Sequence, residues 1–352
     1  MDAHKLFWHL DRVSKWQAGE LIAPIYVEIS PVSFCNHHCI FCGLDFAQGE
    51  RFILDADLLC RRLAEMGRLG VKSIMFAGEG EPLLHRDLPH IVSCAKEAGI
   101  DVSITTNGSA GSQELWEQLL PNLSWLRFSM DAGSAQVYSK VHQVDERMFE
   151  KSVTSIREAL TARKQRGLNA TIGVQYLMIP ENLDDVVAAI SIYSGLGVDY
   201  ICFKPYSEHP QMLNKSGLVY TQEMLDNVER QIESHQPGLK TQLIYRKVAA
   251  ESYRVGAKAF KNCCALPFWG YISSKGDFYT CSVFLNDERF CVGNINNENM
   301  KDILFGERRQ CSVKYGMTEL HVGDDCRTNC RMARINEFLE VLQNRPNHVN
   351  FI

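Results

Sequence analysis

Three cysteines lie close together near the start of the chain: Cys35, Cys39 and Cys42. Their C-x₃-C-x₂-C spacing puts three thiols on one short loop, where they can bind three irons of a [4Fe–4S] cubane and leave the fourth iron open to a small molecule. A zinc site that includes His37 or His38, or cysteines without a metal, would use the same residues. Because the loop follows a predicted strand, we favour the cluster with an open iron.

The chain of 352 residues has thirteen cysteines, and a second dense group lies between Cys263 and Cys330. Cys60, Cys94 and Cys202 fall between the two groups, inside apparent helix or strand patterns. A disulfide framework explains these cysteines poorly, because their number is odd, the chain is not small and no secretion signal is evident. We therefore expect both dense groups to bind metal.

The composition is that of an ordinary globular protein, with 45% hydrophobic and 22% charged residues. The net charge of −5 gives no electrostatic reason to expect a nucleic acid partner. No apolar run reaches the length of a membrane span, and Asp2 and His4 do not resemble the start of a signal peptide. We expect a cytoplasmic protein that does not bind membranes.

Short β-rich runs alternate with helical patterns over most of the chain. The predicted strands are 25–29, 73–77, 101–105, 126–130, 171–178 and 200–203, and the predicted helices are 55–70, 87–98, 114–120, 146–166, 182–194 and 222–234. Six βα units in series predict an α/β fold, a partial (β/α)₆ TIM-like barrel. In such barrels the chemistry is concentrated at the C-terminal ends of the strands, where every motif described below falls.

The composition changes after about residue 236, where the βα alternation ends and Cys, Gly and Asn become more frequent. We therefore divide the chain into three parts. Residues 1–24 form an N-terminal helical extension, 25–235 form the barrel, and 236–352 form a small cysteine-rich α+β domain with a C-terminal helix.

The first cysteine group resembles the signature of the radical S-adenosylmethionine (SAM) superfamily, in which a cysteine triad after the first strand has an aromatic residue just before its third cysteine, here Phe41. This resemblance implies that Cys35, Cys39 and Cys42 hold a [4Fe–4S] cluster and that SAM binds its open iron. It also implies reductive cleavage of SAM to a 5′-deoxyadenosyl radical, which abstracts a substrate hydrogen.

The segment after the second predicted strand, Gly78-Glu79-Gly80-Glu81-Pro82, resembles the superfamily's glycine-rich motif. Glycines let a backbone approach a ligand closely, and a carboxylate can pair with the α-amino group of SAM. By position the resemblance gives this role to Glu81, although Glu79 stands where many relatives have glycine.

Two further segments fit the same superfamily. Thr105-Thr106-Asn107-Gly108 resembles its TNG turn, and Ser129 and Asp131 resemble the serine and aspartate beside the SAM ribose or methionine. Gln175, near the fifth strand, completes the residues expected to contact SAM.

The second cysteine group resembles the auxiliary-cluster module of the SPASM and twitch subfamilies. Cys264, Gly276, Cys281 and a Gly293-Asn294-Ile295 turn follow its spacing, and Cys326 and Cys330 supply two more thiols. A full SPASM domain has seven cysteines with an internal C-x₂-C, which we do not find. The resemblance therefore implies a twitch domain with one auxiliary [4Fe–4S] cluster on Cys264, Cys281, Cys326 and Cys330. Structural zinc is the alternative for four thiolates, and Cys263 would fit almost as well as Cys264.

Three further residues are candidates for catalysis. Lys204 and His209, after the sixth strand, can bind an anionic group or take a proton from a substrate radical, while pairing of Lys204 with a carboxylate is the structural alternative. Cys291 and Cys311 fit neither cluster signature. Buried apolar cysteines are the favoured interpretation of both. The alternatives are a thiol that donates a hydrogen atom to a substrate radical, a role for which Cys311 is the candidate, or an extra cluster ligand.

Two classes of substrate fit these motifs. The first is a small polar metabolite of the sugar, aminocyclitol or nucleotide type, which is oxidised, epimerised or rearranged while the auxiliary cluster relays electrons. The second is a ribosomally made peptide or a protein side chain. Peptide maturases resembling this chain usually have a longer N-terminal domain and two auxiliary clusters, so we favour the small molecule. A flavodoxin or ferredoxin is the expected electron donor.

Overall fold

The computed structural model describes residues 4–215, 217, 219–255, 258–344 and 347–351. One sheet of ten strands runs through the molecule in the order β10-β9-β8-β1-β2-β3-β4-β5-β6-β7. The strands are β1 (Tyr26–Ile29), β2 (Ser73–Phe76), β3 (Asp101–Thr106), β4 (Trp125–Ser129), β5 (Thr171–Met178), β6 (Tyr200–Pro205), β7 (Gln242–Tyr245), β8 (Trp269–Ile272), β9 (Asp277–Tyr279) and β10 (Cys291–Asn294).

Helices connect the parallel strands and surround the sheet. They are α1 (Leu10–Gln17), α2 (Ala56–Leu69), α3 (Leu88–Glu97), α4 (Gln113–Leu119), α5 (Ala135–His142), α6 (Arg147–Gln165), α7 (Val186–Leu196), α8 (Gln222–His235), α9 (Lys247–Val255), α10 (Met300–Phe305), α11 (Glu307–Thr318), α12 (Val322–Asp325) and α13 (Ala333–Gln343). Capping residues determine where several of these helices begin and end. The carboxylate of Asp55 accepts from the amide of Leu58 at 2.7 Å and caps α2, which ends at Gly70 with φ +96°.

The strands alternate between two environments, as the twofold period of a β-strand requires. On β4, Leu126 and Phe128 are fully buried in the main core against the helices, whereas Arg127 and Ser129 are only partly buried. The same alternation on β6 puts Phe203 in the core and leaves Lys204 on the opposite face. One face of the sheet therefore packs on helices, and the other lines the interior of a partial barrel.

The six predicted strands are confirmed, and the fold is the predicted partial barrel of βα units. The alternation nevertheless extends one unit beyond the expected end near residue 236, because β7 pairs in parallel with β6 and is followed by α9. On the other edge, β8 pairs in parallel with β1, and the β8–β9–β10 segment continues the same sheet. The boundary at 235/236 stays a prediction. Among the described residues, no helix has both the length and the apolar character to cross a bilayer.

Candidate functional site

The cysteine loop (residues 35–42) follows β1 and is held against the end of α5. The amides of His38 and Ile40 donate to the carbonyl oxygens of His142 and Val141, each at 3.0 Å. Phe41, the aromatic residue of the motif, is buried with its ring centroid 5.4 Å from that of His142. The position of the cysteine loop is therefore fixed by backbone hydrogen bonds and ring contacts within the chain itself.

The three thiols of the cysteine loop face one another. Burial raises the pKa of Cys39, and the neighbouring charges of Cys42 and Cys35 raise it further. Burial also raises the pKa of Cys35 to about 12. Clustered thiolates repel one another, and a bound metal offsets that repulsion because its positive charge stabilises the deprotonated thiols. The donor set therefore fits a thiolate-bound iron cluster.

Side-chain amides surround two of these sulfurs. The Nδ2 of Asn107 lies 3.8 Å from the Sγ of Cys35 and 2.9 Å from the Oδ1 of Asn36. The Nε2 of Gln48 lies 3.4 Å from the Sγ of Cys42. Donors of this kind stabilise a thiolate, so the TNG turn after β3 contributes to the cysteine site.

Glu81 connects the loop after β2 to the turn after β3. Its buried carboxylate accepts hydrogen bonds from the Thr106 hydroxyl at 2.6 Å, the Asn107 amide at 2.8 Å and the Leu83 amide at 3.0 Å. Burial raises its pKa, and the three hydrogen bonds oppose that shift. Because these donors use most of the carboxylate's acceptor positions, Glu81 acts here as a brace between two loops, and its predicted pairing with an amine stays a prediction.

Glu79 faces the β8–β9 hairpin. Its carboxylate accepts from the Tyr271 hydroxyl and the Ser274 amide, both at 3.2 Å. Together with Gln48 and Lys275 it lines a groove between the cysteine loop and that hairpin. The departure from glycine at position 79 thus supplies a contact to the cysteine-rich part of the chain.

The two motif glycines are required by the chain's own packing. A Cβ on Gly80 would lie 2.4 Å from the carbonyl oxygen of Phe34. Gly78 has a φ of +114°, and a Cβ added to it would lie 2.6 Å from the Tyr271 hydroxyl. Side chains other than hydrogen do not fit at either position. The glycines let the loops after β1 and β2 approach each other closely.

The residues predicted beside SAM on β4 and β5 divide into two kinds. Ser129 and Gln175 are register partners and partly exposed towards the barrel interior. Asp131 is fully buried, with a φ of +48°, and its carboxylate accepts from the Ser129 hydroxyl at 3.1 Å and from the Leu177 amide. Burial raises its pKa to about 7. Asp131 is thus held by the chain itself, while Gln175 and Ser129 have partly exposed side chains on the barrel interior, and their predicted contacts to SAM stay predictions.

Four thiols of the second group come together. Burial raises the pKa of Cys281, and the charges of Cys330 and Cys263 raise it further. The interaction between the neighbouring thiols of Cys326 and Cys330 raises the pKa of Cys326 and lowers the pKa of Cys330. The Met332 amide also donates to Cys330 Sγ at 3.4 Å. Four converging thiols fit either a cubane or a zinc ion.

Cys263, rather than Cys264, belongs to this set, and the preference for Cys264 is corrected. The charge of Cys330 contributes to the raised pKa of Cys263, whose sulfur is 3.5 Å from Asn336 Nδ2. The Cys264 thiol instead donates to Gln343 Oε1 at 3.2 Å on α13. Adjacent residues in extended or irregular backbone point in different directions, so a shift of one position moves the sulfur out of the group.

Two catalytic predictions do not fit the structure. Both ring nitrogens of His209 are hydrogen-bonded to backbone, with Nε2 2.9 Å from the Ser282 carbonyl and Nδ1 3.2 Å from the Gln211 amide. His209 therefore connects the loop after β6 to the cysteine-rich region and has no nitrogen free for proton transfer. Cys311 is exposed on α11, whose buried residues include Ser312, so its thiol faces away from the core. The exposed position of Cys311 fits neither of its two predicted roles, a buried apolar thiol or a hydrogen-atom donor to a substrate in the barrel.

Basic side chains are concentrated in the barrel interior. Burial lowers the pKa of Lys204 to about 7, and the positive charges of Arg327 and Arg331 contribute to this lowering. Arg127 lies over the ring of Trp125 at 4.8 Å, and its Nε has no hydrogen-bond partner among the described residues. No carboxylate in the part of the chain that the structure describes forms an ion pair with Lys204. The interior thus presents positive charge with unused hydrogen-bond donors.

One carboxylate partly balances this charge. Glu28, on β1, is buried and forms an ion pair with Arg331, while the Tyr26 hydroxyl donates to it at 3.2 Å. Arg327 donates to the Ser207 carbonyl. The segment that carries Cys326 and Cys330 therefore lies across the C-terminal ends of the strands and forms one wall of the barrel interior.

A partial barrel of parallel βα units with a thiol triad after its first strand defines a class of radical enzyme. Residues 29–191 match the sequence model of the radical SAM superfamily, so this part of the chain is a radical SAM domain. Enzymes of that superfamily use SAM and a [4Fe–4S] cluster. A probable GTP 3′,8-cyclase of Saccharolobus islandicus is 30% identical over 178 residues, which are 50% of this chain and 54% of that protein. Its counterpart in Sulfolobus acidocaldarius is 30% identical over 203 residues, 55% of this chain and 59% of that protein. The chain thus spans a little over half the length of these curated relatives.

Solved structures extend the likeness in fold beyond the barrel. SuiB of Streptococcus suis bound to S-adenosylmethionine superposes with a TM-score of 0.70 at 16% identity, over 95% of this chain and 77% of that one. Native anSMEcpe with bound AdoMet gives a TM-score of 0.63 at 15% identity, over 89% of both chains. At these identities the comparison establishes a shared fold.

Several site residues were missed by the sequence analysis. His142 has Nδ1 3.0 Å from Cys39 Sγ and Nε2 2.9 Å from the Met130 carbonyl, but its helix, α5, was not predicted. Asn36, Gln48 and Glu28 lack any motif of their own. Strand alternation could have identified Glu28, because a carboxylate on a buried strand must face a polar interior or a cation.

Proposed function

We propose that the protein is a radical SAM oxidoreductase that oxidises, epimerises or rearranges a small anionic metabolite, such as a phosphate- or carboxylate-bearing sugar, aminocyclitol or nucleotide. The observation that carries this proposal is the pair of cationic side chains, Arg127 and Lys204, on the inward faces of β4 and β6. A buried cation without a counter-ion is costly, and an anionic substrate removes that cost.

Cys35, Cys39 and Cys42 would hold the SAM-binding cluster, and Cys263, Cys281, Cys326 and Cys330 would hold the auxiliary cluster of a twitch-type domain. When bound, the cofactors supply a 5′-deoxyadenosyl radical and an electron acceptor, and a flavodoxin or ferredoxin would supply the first electron. The chain's own residues orient the reactants. Asn107 and Gln48 donate to the sulfurs, and Ser129 and Gln175 line the interior beside the cysteine loop.

The basic interior also favours a small anionic metabolite over a peptide as the substrate. Guanidinium and ammonium groups recognise phosphate and carboxylate through charge-assisted hydrogen bonds. The relatives at 30% identity are described as probable GTP cyclases, and a nucleotide is an anion of this kind. The resemblance to SuiB is one of fold and adds no weight to a peptide substrate.

A fractionation experiment tests the proposal. Metabolites extracted from cells are separated on an anion exchanger, and each fraction is added to the reduced holoenzyme while 5′-deoxyadenosine is measured. We expect the retained fraction to stimulate formation several-fold with the wild type, and not with Lys204→Met. Lys151→Met, an exposed lysine on α6, is the matched control and should respond like the wild type.

The contrary results are equally definite. Stimulation by the unretained fraction alone would contradict an anionic substrate. Stimulation that is destroyed by protease treatment of the fraction would favour modification of a peptide instead. Equal stimulation of Lys204→Met and the wild type would remove Lys204 from substrate binding.

A further inference from the structure

A second group of metal-binding side chains lies on the outside of the barrel, between α2 and α3. Asp57 and Cys60 are three residues apart on α2, and His90 and Cys94 are four residues apart on α3. Residues at these spacings share one face of a helix. The two helices are packed side by side, and each presents its pair to the other.

Three of these side chains, Cys60, His90 and Cys94, lie close enough to share one ion, and Asp57 lies beside His90. The Nε2 of His90 is 3.6 Å from Cys60 Sγ, 3.8 Å from Cys94 Sγ and 3.8 Å from Asp57 Oδ1. One ligand atom each from Cys60, His90 and Cys94 falls within 4.8 Å of the others. Ligands of a tetrahedral zinc ion at about 2.0–2.3 Å are separated by roughly 3.5 Å, which the distances from His90 match.

The two sulfurs are joined as a disulfide in the structure, with their Cα atoms 5.4 Å apart. A disulfide needs no imidazole, so the bond leaves the placement of His90 beside both sulfurs unexplained. His90 and Asp57 are largely exposed, with 58% and 82% of their side chains accessible, and an ion can enter from solvent.

We propose that, once the disulfide is reduced, Cys60, His90 and Cys94 bind one Zn²⁺, with Asp57 as the fourth ligand. An external dithiol supplies two electrons and two protons to the Cys60–Cys94 bond and is itself oxidised to a disulfide. Zinc then binds the two thiols as thiolates and releases two protons. Thiolates, imidazoles and carboxylates are all ligands of zinc, whereas two thiolates are too few for a cubane.

The site joins the two helices in either state. α2 follows the cysteine loop, and α3 follows the loop that contains Glu81. A disulfide or a zinc ion between them therefore holds together the supports of two loops that meet at the catalytic site. The oxidised and the zinc-bound forms exclude each other, because the same sulfurs are used.

The test uses the holoenzyme, so that the other cysteines are already occupied by iron. The reconstituted protein is reduced with a dithiol, freed of it anaerobically and titrated with Zn²⁺ against a chromophoric chelator, and zinc and iron are counted per chain. We expect about one zinc per chain in the reduced wild type, and none in Cys60→Ser/Cys94→Ser or in the oxidised wild type. Cys311→Ser removes an exposed thiol elsewhere and should bind zinc as the wild type does.

His90→Gln separates a metal site from a simple dithiol, because both sulfurs and their disulfide remain. We expect its zinc affinity to fall at least tenfold while its iron content stays unchanged. Equal zinc binding by the wild type and the double serine variant would overturn the proposal. Unchanged affinity in His90→Gln, or no zinc in the reduced wild type, would overturn it as well.

Discussion

Glu28, on the first strand of the sheet, is ion-paired with Arg331, which directly follows Cys330. The carboxylate side chain is only 6% exposed and the guanidinium 43%. This pair joins the barrel interior to the cysteine-rich segment, so the two candidate cofactor sites share a wall. The barrel interior and the segment of the second thiol group are therefore in direct contact at this pair.

Glu28→Gln should weaken that contact. The charge of Arg331 would lose its partner, and since the guanidinium is partly exposed we expect a cost of about 1–2 kcal/mol, below that of a fully buried pair. The melting temperature of the holoenzyme, compared with wild type, measures the loss. Asp145→Asn breaks the fully exposed pair with Arg147 and should leave the melting temperature nearly unchanged, because exposed ion pairs contribute little to stability. Equal changes in melting temperature for the two substitutions would show that the Glu28–Arg331 pair stabilises the protein no more than an exposed pair does.

Glu81→Gln tests the brace between the loops after β2 and β3. An amide presents one oxygen where the carboxylate presents two, so at least one of the donors on Thr106, Asn107 and Leu83 loses its acceptor. We expect a loss of about 2 kcal/mol and a lower melting temperature. Glu150→Gln, on the exposed face of α6, is the control and should leave the melting temperature unchanged. A stable Glu81→Gln variant would mean that the brace is dispensable.

The barrel and the cysteine loop could be predicted from the sequence, because each is specified by residues close together in the chain. Strand alternation and helix caps specify the βα units, and the C-x₃-C-x₂-C spacing specifies the loop. Contacts between distant segments had no such local pattern. The pairing of β8 with β1, the position of His142 beside Cys39 and the Glu28–Arg331 pair depend on packing between segments far apart in the chain. For the same reason the adjacent Cys263 and Cys264 could not be distinguished from spacing.

The triple substitution of Cys35, Cys39 and Cys42 by alanine should abolish SAM cleavage, because the cluster with the open iron would have no ligands. Anaerobically reconstituted wild type should contain about eight irons per chain and the triple variant about four. About twelve irons in the wild type would indicate two auxiliary clusters. Formation of 5′-deoxyadenosine by the triple variant would contradict the assignment of the loop.

Lys204 gives a pH dependence with a defined sign. Its pKa is lowered to about 7, so the fraction that carries a positive charge falls as the pH rises through that value. The concentration of anionic fraction needed for half-maximal 5′-deoxyadenosine formation should therefore increase above pH about 7, by up to tenfold per pH unit. Lys204→Arg, whose guanidinium stays charged, should remove the increase. A profile that is the same in both proteins would assign the dependence to another group.

Cys263→Ser and Cys264→Ser form a matched pair that decides the ligands of the auxiliary site. The two cysteines are adjacent and differ in direction, with Cys263 beside Cys330 and Cys264 hydrogen-bonded to Gln343. We expect Cys263→Ser to lower the iron content towards about four per chain, because a serine hydroxyl is a poor iron ligand, and Cys264→Ser to retain about eight. The reverse result would restore Cys264 as the ligand and require α13 to rearrange when the cluster binds. About four irons in the wild type and in both variants, with zinc that is lost in Cys263→Ser and kept in Cys60→Ser/Cys94→Ser, would make the second site a structural zinc centre and remove an electron acceptor from the proposed reaction.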